Sequence, residues 1–143
     1  MASDKLTLSP VTQLTIVSST DEALEVEAVY APGGSAPPNH LHPSQDEHFE
    51  ILEGAMQVRL GEEPSELSQG DQLDVPRGTP HTMWNAGDGP ARTRWITRPA
   101  LRTEVWFRTL DSIQRRSAEG DVEPEEYVKL LDEYRDVFRL VLP

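Results

Sequence analysis

Between residues 5 and 102 the hydrophobic positions come in short alternating runs separated by turn-forming clusters, the pattern of an all-β sandwich or barrel. Leu24, Val26, Ala28 and Tyr30 alternate with Glu25, Glu27 and Val29, and Ala31-Pro32-Gly33-Gly34 then ends the run with residues suited to turns. Similar runs at 48–52, 55–60, 72–75, 81–85 and 91–97 predict further strands. Gly54 and the stretches 61–64, 70–71, 76–80 and 86–90 punctuate them, so most of the 12 prolines and 9 glycines fall where φ restriction or freedom is useful. The more polar segment 6–17 also alternates and predicts a strand able to add to a partner's sheet edge. After Thr103 the period lengthens. Trp106, Leu110 and Ile113 fall at helical spacing, and Tyr127, Leu130, Leu131, Tyr134 and Phe138 trace a second stripe.

These stripes predict two amphipathic helices after the strands. Gly120 closes the first, and Glu123-Pro124 opens the second, with proline where its missing N–H costs little and Glu125 and Glu126 near the positive end of the helix dipole. The acidic residues Glu119, Asp121, Glu123, Glu125, Glu126, Asp132, Glu133 and Asp136 lie largely off the stripe, as a solvated face should. Trp106, Leu110, Tyr127, Leu131, Tyr134 and Phe138 are therefore expected to pack on the outside of a sheet. The division is a β-barrel at 1–102 and a helical extension packed on it at 103–143, with no internal repeat.

Composition narrows the chemistry. The 143 residues suit one domain, and 36% hydrophobic against 27% charged positions support a modest core. A net charge of −12, from 13 Lys+Arg and 25 Asp+Glu, repels phosphate backbones and anionic lipid and so argues against nucleic acid and membrane as partners. With no cysteine there is no disulfide, thiol nucleophile or thiolate ligand, which leaves metal binding to His, Asp and Glu. The first ten residues carry no apolar signal core and no run approaches the ~18 apolar residues of a span. The chain reads as cytoplasmic.

Three of the four histidines sit in two turn-and-strand contexts. His40 and His42 project from one face of a strand, and the turn at 43–46 can bring Glu47 back to that face; His81 follows Pro76-Arg77-Gly78-Thr79-Pro80 on a later strand. Three neutral imidazoles and one carboxylate converging inside a barrel would form a site for a divalent metal with positions left open. A histidine pair two residues apart is weak evidence alone, because a single histidine readily sits half-buried without a ligand.

The full spacing weighs more. Gly34, His40, His42, Glu47 and Gly54 form one block, Gly70, Pro76, Gly78, His81 and Asn85 a second, with residues 55–69 between them. Chance agreement at these ten positions is on the order of 10⁻¹³ per placement at ordinary residue usage, so the pattern as a whole carries the resemblance. The sequence resembles the cupin superfamily, whose two signature motifs have these residues at these spacings. The resemblance implies a single double-stranded β-helix, a jelly-roll barrel, here followed by two C-terminal α-helices. It also implies metal ligation by His40, His42, Glu47 and His81, with one divalent ion of iron, manganese, nickel, copper, cobalt or zinc as cofactor. Gly34, Gly54, Gly70, Pro76, Gly78 and Asn85 read as structural, serving turns and backbone bonds.

Around that centre, strand alternation suggests Phe49, Ile51, Met56, Val58, Leu73, Val75 and Met83 as pocket wall, with Trp84 or Trp95 at a mouth; the same residues are ordinary barrel filling if no pocket is open. His48 points to the opposite face from Glu47, Glu50 lies outside, and Glu53 borders a turn, so no catalytic base is assigned. Arg92, Arg94 and Arg98 share a face and either bind a substrate carboxylate or sit solvated on the exterior.

Two function classes stand against each other. A metal-dependent enzyme acting on a small oxygen-bearing molecule is one, of dioxygenase type or else a redox-neutral isomerase or cyclase. A binding or sensing module without turnover is the other. The resemblance also implies a homodimer, as small cupins often pair through their sheets.

Overall fold

The computed structural model describes residues 4–118, 120 and 122–141. Alternation in sequence becomes alternation of faces. In β3 (Leu24–Tyr30), Leu24, Val26 and Ala28 are buried while Glu25, Glu27 and Val29 turn the other way. β3 pairs antiparallel with β10 (Ala91–Arg98), β10 with β5 (Asp46–Glu53), and β5 with β8 (Gln72–Val75). β2 (Thr12–Ser19) and β1 (Lys5–Ser9) extend the sheet beyond β3, giving the order β1-β2-β3-β10-β5-β8. A second sheet, in the order β11-β4-β9-β6-β7, contains β4 (His40–Leu41), β6 (Ala55–Leu60), β7 (Glu63–Ser68), β9 (His81–Trp84) and β11 (Arg139–Leu140). This is the jelly-roll arrangement, with two helices, α1 (Thr103–Ala118) and α2 (Pro124–Glu133), after the tenth strand.

Register gives the first sheet one continuous inner face. Glu47, Phe49 and Ile51 lie opposite Thr97, Trp95 and Thr93, and these lie opposite Leu24, Val26 and Ala28. Leu14 pairs with Ala28, Ile16 with Val26, and Leu6 with Leu14. The second sheet covers one half of that face, where Ile51, Met56 and Ala91 pack together. The helices cover the other: Trp106, Phe107, Tyr134 and Val137 cluster with Leu6, Leu14, Leu24, Val26 and Ala28. The expected packing of the helical stripe on the outside of a sheet is thus corrected. Among the described residues no strand opposes the face of β1–β3, and each Leu or Val there contributes about 1.5–3 kcal/mol when covered. Tyr127, assigned to that packed stripe, is 40% exposed, and α2 buries none of its residues fully. Glu119 and Asp121, together with residues 1–3 and 142–143 at the ends of the two expected segments, lie outside the described residues.

Segment 6–17 forms a hairpin within its own sheet, β1 pairing with β2 and β2 with β3, and the Thr7 N–H of the edge strand β1 donates to Asp111 Oδ1 of α1 at 2.9 Å. The expected turn at 61–64 runs on into β7, because Glu63-Pro64-Ser65-Glu66 carries no apolar alternation to mark it; β7 is an exposed edge strand, where Pro64 breaks no ladder it needs. On the outer face of the large sheet Arg92 pairs with Glu27 and Glu53, and Arg94 with Glu25 and Glu50. These arginines and exposed Arg98 therefore sit on the exterior, away from the barrel interior. Among the described residues no helix is long and apolar enough to cross a membrane.

Candidate metal centre

The two sequence blocks meet because backbone bonds tie them. His40 pairs with His81 across β4 and β9, and Gly78 N–H donates to His42 O at 2.8 Å from a turn whose φ of +76° suits glycine. Glu47 enters from the opposite sheet, between Thr97 and Val75. Gly54 also has positive φ (+77°), and a Cβ there would meet Pro90 O at 2.7 Å, so β5 can turn into β6 only without a side chain. Asn85 staples the strand ends: Nδ2 donates to Tyr30 O and Gly89 O, and Oδ1 accepts from Gly87 N–H.

The three imidazoles cluster at steep angles to one another, with ring centroids 4.3 Å apart for His40–His81, 5.0 Å for His40–His42 and 5.3 Å for His42–His81. One nitrogen from each lies within 4.8 Å of the others. Two tautomers are fixed by carbonyls, which only accept. His42 Nδ1 donates to Val137 O at 2.7 Å and His81 Nδ1 to Thr79 O at 2.9 Å. In the neutral rings, both Nε2 lone pairs then face Glu47 Oε1, at 3.0 and 2.9 Å. These contacts are short but off the hydrogen-bonding direction, and Glu47 Oε1 and His42 Nε2 are buried without a hydrogen-bond partner. The other carboxylate oxygen, Oε2, accepts from Trp95 Nε1 at 2.7 Å.

Electron-rich atoms converging on one point in a buried site need a cation or a proton between them. Burial alone would raise the Glu47 carboxyl, yet the facing His42 and His81 hold it below the usual carboxylate range. Burial lowers His42, but the facing Glu47 carboxylate and the Val137 carbonyl together more than offset this and raise it. At His40 the Glu47 charge is outweighed: burial, with His81 and His42 alongside, pushes it down to about 3. Donors bound at right angles to one ion at roughly 2.1 Å stand roughly 3 Å apart, which is the spacing of Glu47 Oε1 from His42 Nε2 and His81 Nε2. The donor set fits a divalent metal: imidazole nitrogens held in the ligating tautomer and one carboxylate, with no thiolate.

A cavity of about 200 Å³ opens beside these side chains. Of the residues expected to line it, Phe49, Met83 and Trp95 do so. Ile51 and Met56 do not, a correction: their strands bring them to the closed part of the barrel, where they pack with Ala91 against Tyr30, Leu67 and Met83. Val58 and Val75 are likewise buried in the core, and Leu73 lies away from the cavity. Trp84 is on the other side of its strand, under the Arg59 guanidinium, and Trp95 is in the wall rather than at a mouth, stacked on Phe49 and leaning on Phe107. His48 points outward to Asp74 at 2.7 Å.

The sequence reading missed the contribution of the extension. Trp106, Phe107, Leu110, Val137 and Phe138 all line the cavity, and Phe138 stacks on His40 with centroids 4.9 Å apart. The tail is held there by β11, which pairs with β4, by Val141 N–H donating to Asn39 O, and by Arg102, which spans Asp136 and Glu133 O while lying over the Tyr134 ring. Its helical spacing was visible, but nothing in that spacing tells an inner face from an outer one.

Comparison with known proteins places this geometry. The tetracenomycin polyketide synthase protein TcmJ of Streptomyces glaucescens is 39% identical over 76 residues, 52% of this chain and 50% of that protein. Quercetin 2,3-dioxygenase of Bacillus subtilis (strain 168) is 33% identical over 64 residues, 45% of this chain and 19% of that protein. The chain thus spans half or less of the length of these curated relatives. The crystal structure of TT1209 from Thermus thermophilus aligns with a TM-score of 0.58 at 30% identity, over 65% of this chain and 89% of that one. Residues 26–97 match the family model of the cupin domain, a stretch that contains both sequence blocks and all four converging side chains. The chain belongs to the cupin family.

Proposed function

We propose that this protein is a metal-dependent enzyme in which His40, His42, Glu47 and His81 hold one divalent metal ion, and that it carries out dioxygenase-type chemistry on a small oxygen-bearing organic substrate. The observation that carries this is the buried, unpartnered Glu47 Oε1 facing two imidazole nitrogens next to an open cavity. When bound, a metal with open positions supplies Lewis acidity toward adjacent substrate oxygens and, if redox-active, dioxygen activation.

The chain's own residues support that choice over proton-transfer chemistry. Apart from the four proposed ligands, no carboxylate or imidazole lines the cavity among the described residues. Its remaining titratable group is Tyr30, whose phenol burial raises above its ordinary range, so it stays protonated and donates rather than abstracts. Glu47 is held by Trp95 and turned toward the histidines. The aromatic wall orients a flat substrate and excludes water. The resemblance to a dioxygenase agrees with this reading. The second reading is a redox-neutral isomerase or cyclase, in which the metal would only polarise a carbonyl; the resemblance to a polyketide synthase protein is compatible with it.

Metal analysis of protein purified without a chelating tag, followed by oxygen-electrode measurements with catechol, tests the choice. Stoichiometric iron, manganese, nickel or copper with oxygen uptake is expected. Zinc, or turnover that proceeds equally under strict anaerobiosis, would replace the dioxygenase with the isomerase or cyclase, and a metal-free protein that stays metal-free on dialysis against divalent ions would remove both.

A further inference from the structure

The cavity's lining is of two chemical kinds. His40, His42, Glu47 and His81 form one, with Phe138 stacked on His40 and the Trp95 indole N–H bonded to Glu47; the rest is mainly rings and alkyl groups, with Phe49 from the barrel, Trp106, Phe107 and Leu110 from the extension, and the hydroxyls of Tyr30 and a few Ser and Thr. Among the described residues no Lys or Arg lines the cavity. A ligand's oxygens would find partners at the four converging side chains. A carboxylate, sulfonate or phosphate elsewhere in the cavity would have no cation to meet it, and an unpaired charge in such surroundings is costly. Size is limited as well. An apolar cavity of about 150 Å³ accommodates a single benzene ring, so the ~200 Å³ here suits one or two fused rings and is too small for three. Two of the walls that set this limit, Leu110 and Phe138, lie outside the stretch 26–97 that matches the cupin domain.

Building on the metal-centre reading, we propose that the site takes a one- or two-ring aromatic molecule with adjacent oxygens on one edge and no charged group on the other, and that Leu110 and Phe138 set the size limit. Calorimetric titration of the metal-loaded protein with 2,3-dihydroxynaphthalene, its 6-sulfonate and the three-ring alizarin tests both halves. The sulfonate should bind at least thirtyfold more weakly than its parent, and alizarin should show no measurable binding to the wild type. Alizarin should bind Leu110→Ala or Phe138→Ala within about tenfold of the affinity for 2,3-dihydroxynaphthalene. Leu110→Ala serves as the second variant because it leaves the Phe138 stack on His40 in place. Naphthalene, which has no oxygen, should bind the metal-free protein while naphthalene-2-sulfonate should not; this pair succeeds or fails independently of the metal. Equal binding of parent and sulfonate, tight binding of alizarin by the wild type, exclusion of alizarin from both folded variants, or failure of naphthalene to bind would each overturn the proposal. Absence of bound metal alongside the expected naphthalene result would instead overturn the metal-centre reading alone.

Discussion

Replacing Trp95 with phenylalanine isolates one hydrogen bond on which the proposed metal centre depends. Trp95 Nε1 donates to Glu47 Oε2 at 2.7 Å, short for an N–H···O bond and typical of a charged acceptor. Glu47 is 3% exposed, so water does not replace the lost donor. A hydrogen bond to a charged group contributes about 1.5–3 kcal/mol, and truncating the indole leaves some unfilled space besides. The metal-free variant should therefore lose about 2–3 kcal/mol, which for a chain of this size lowers Tm by roughly 6–12 °C. The second effect is on the ligand itself. Partners that orient a metal ligand are worth 10–100-fold in affinity, and Trp95 is the donor that holds the carboxylate with Oε1 toward His42 and His81.

The assay is competition for metal against a fluorescent chelator, with thermal unfolding of the metal-free protein alongside. Phe49→Leu is the control. Phe49 stacks on Trp95 with centroids 5.5 Å apart but bonds nothing on Glu47, so its loss should lower Tm while leaving metal affinity within about threefold. If Trp95→Phe and Phe49→Leu change metal affinity equally, or if neither changes it, the indole N–H does not hold the carboxylate for a metal and the reasoning fails.

Three further outcomes are expected. His42→Ala or His81→Ala should abolish stoichiometric metal, read by elemental analysis, with a β-type circular dichroism spectrum retained, because the core clusters do not include either imidazole. Metal affinity should begin to fall above pH 6.5 and keep falling below it, since Glu47 and Val137 hold the His42 imidazole above its ordinary value and that proton must leave before the ring can ligate; the loss approaches tenfold per pH unit for each proton displaced, His40, held down to about 3, adds nothing above pH 4, and flat occupancy from pH 8 to pH 4 would exclude His42 as a ligand. Ending the chain after Tyr134 removes the Val137 carbonyl from His42 Nδ1 and should weaken metal binding 10–100-fold, whereas unchanged affinity would show that the tautomer is set elsewhere.

The barrel was legible because most of its longer strands carry one buried face, and a period of two marks that face residue by residue. Leu24, Val26 and Ala28 announce β3 without help from any other part of the chain. The four converging side chains were legible for a different reason: the turns that aim them need glycine and proline at fixed offsets, so Gly54, Pro76 and Gly78 travel with His40, His42, Glu47 and His81. Elements without such local marks were lost. β7 is exposed along nearly its whole length and has no face to reveal, and β11 is only two residues long. Ile51 and Phe49 share an inner face at the same alternation, yet one packs in the closed core and the other lines the cavity. That difference comes from how far each lies from the helices across the barrel, a distance that no run of residues along β5 encodes.

One packing problem explains why the extension serves both fold and site. The inner face of the six-stranded sheet is wider than the second sheet, so Leu6, Leu14, Leu24, Val26 and Ala28 need a cover that the opposing strands do not reach. Two amphipathic helices supply it, and their apolar stripe has to lie where that face is open, beside the end of the barrel at which His40, His42, Glu47 and His81 converge. Trp106 and Phe107 then touch both the core cluster and the cavity, and the segment leaving the second helix brings the Val137 carbonyl to His42 and the Phe138 ring to His40. The barrel's own strands carry the donor atoms, whose spacing is fixed by strand pairing and tight turns. The ligand-facing wall is carried partly by side chains whose position depends only on packing. Substitutions at Leu110 or Phe138 can therefore reshape the pocket while the convergence of His40, His42, Glu47 and His81 stays under the control of β4, β5 and β9.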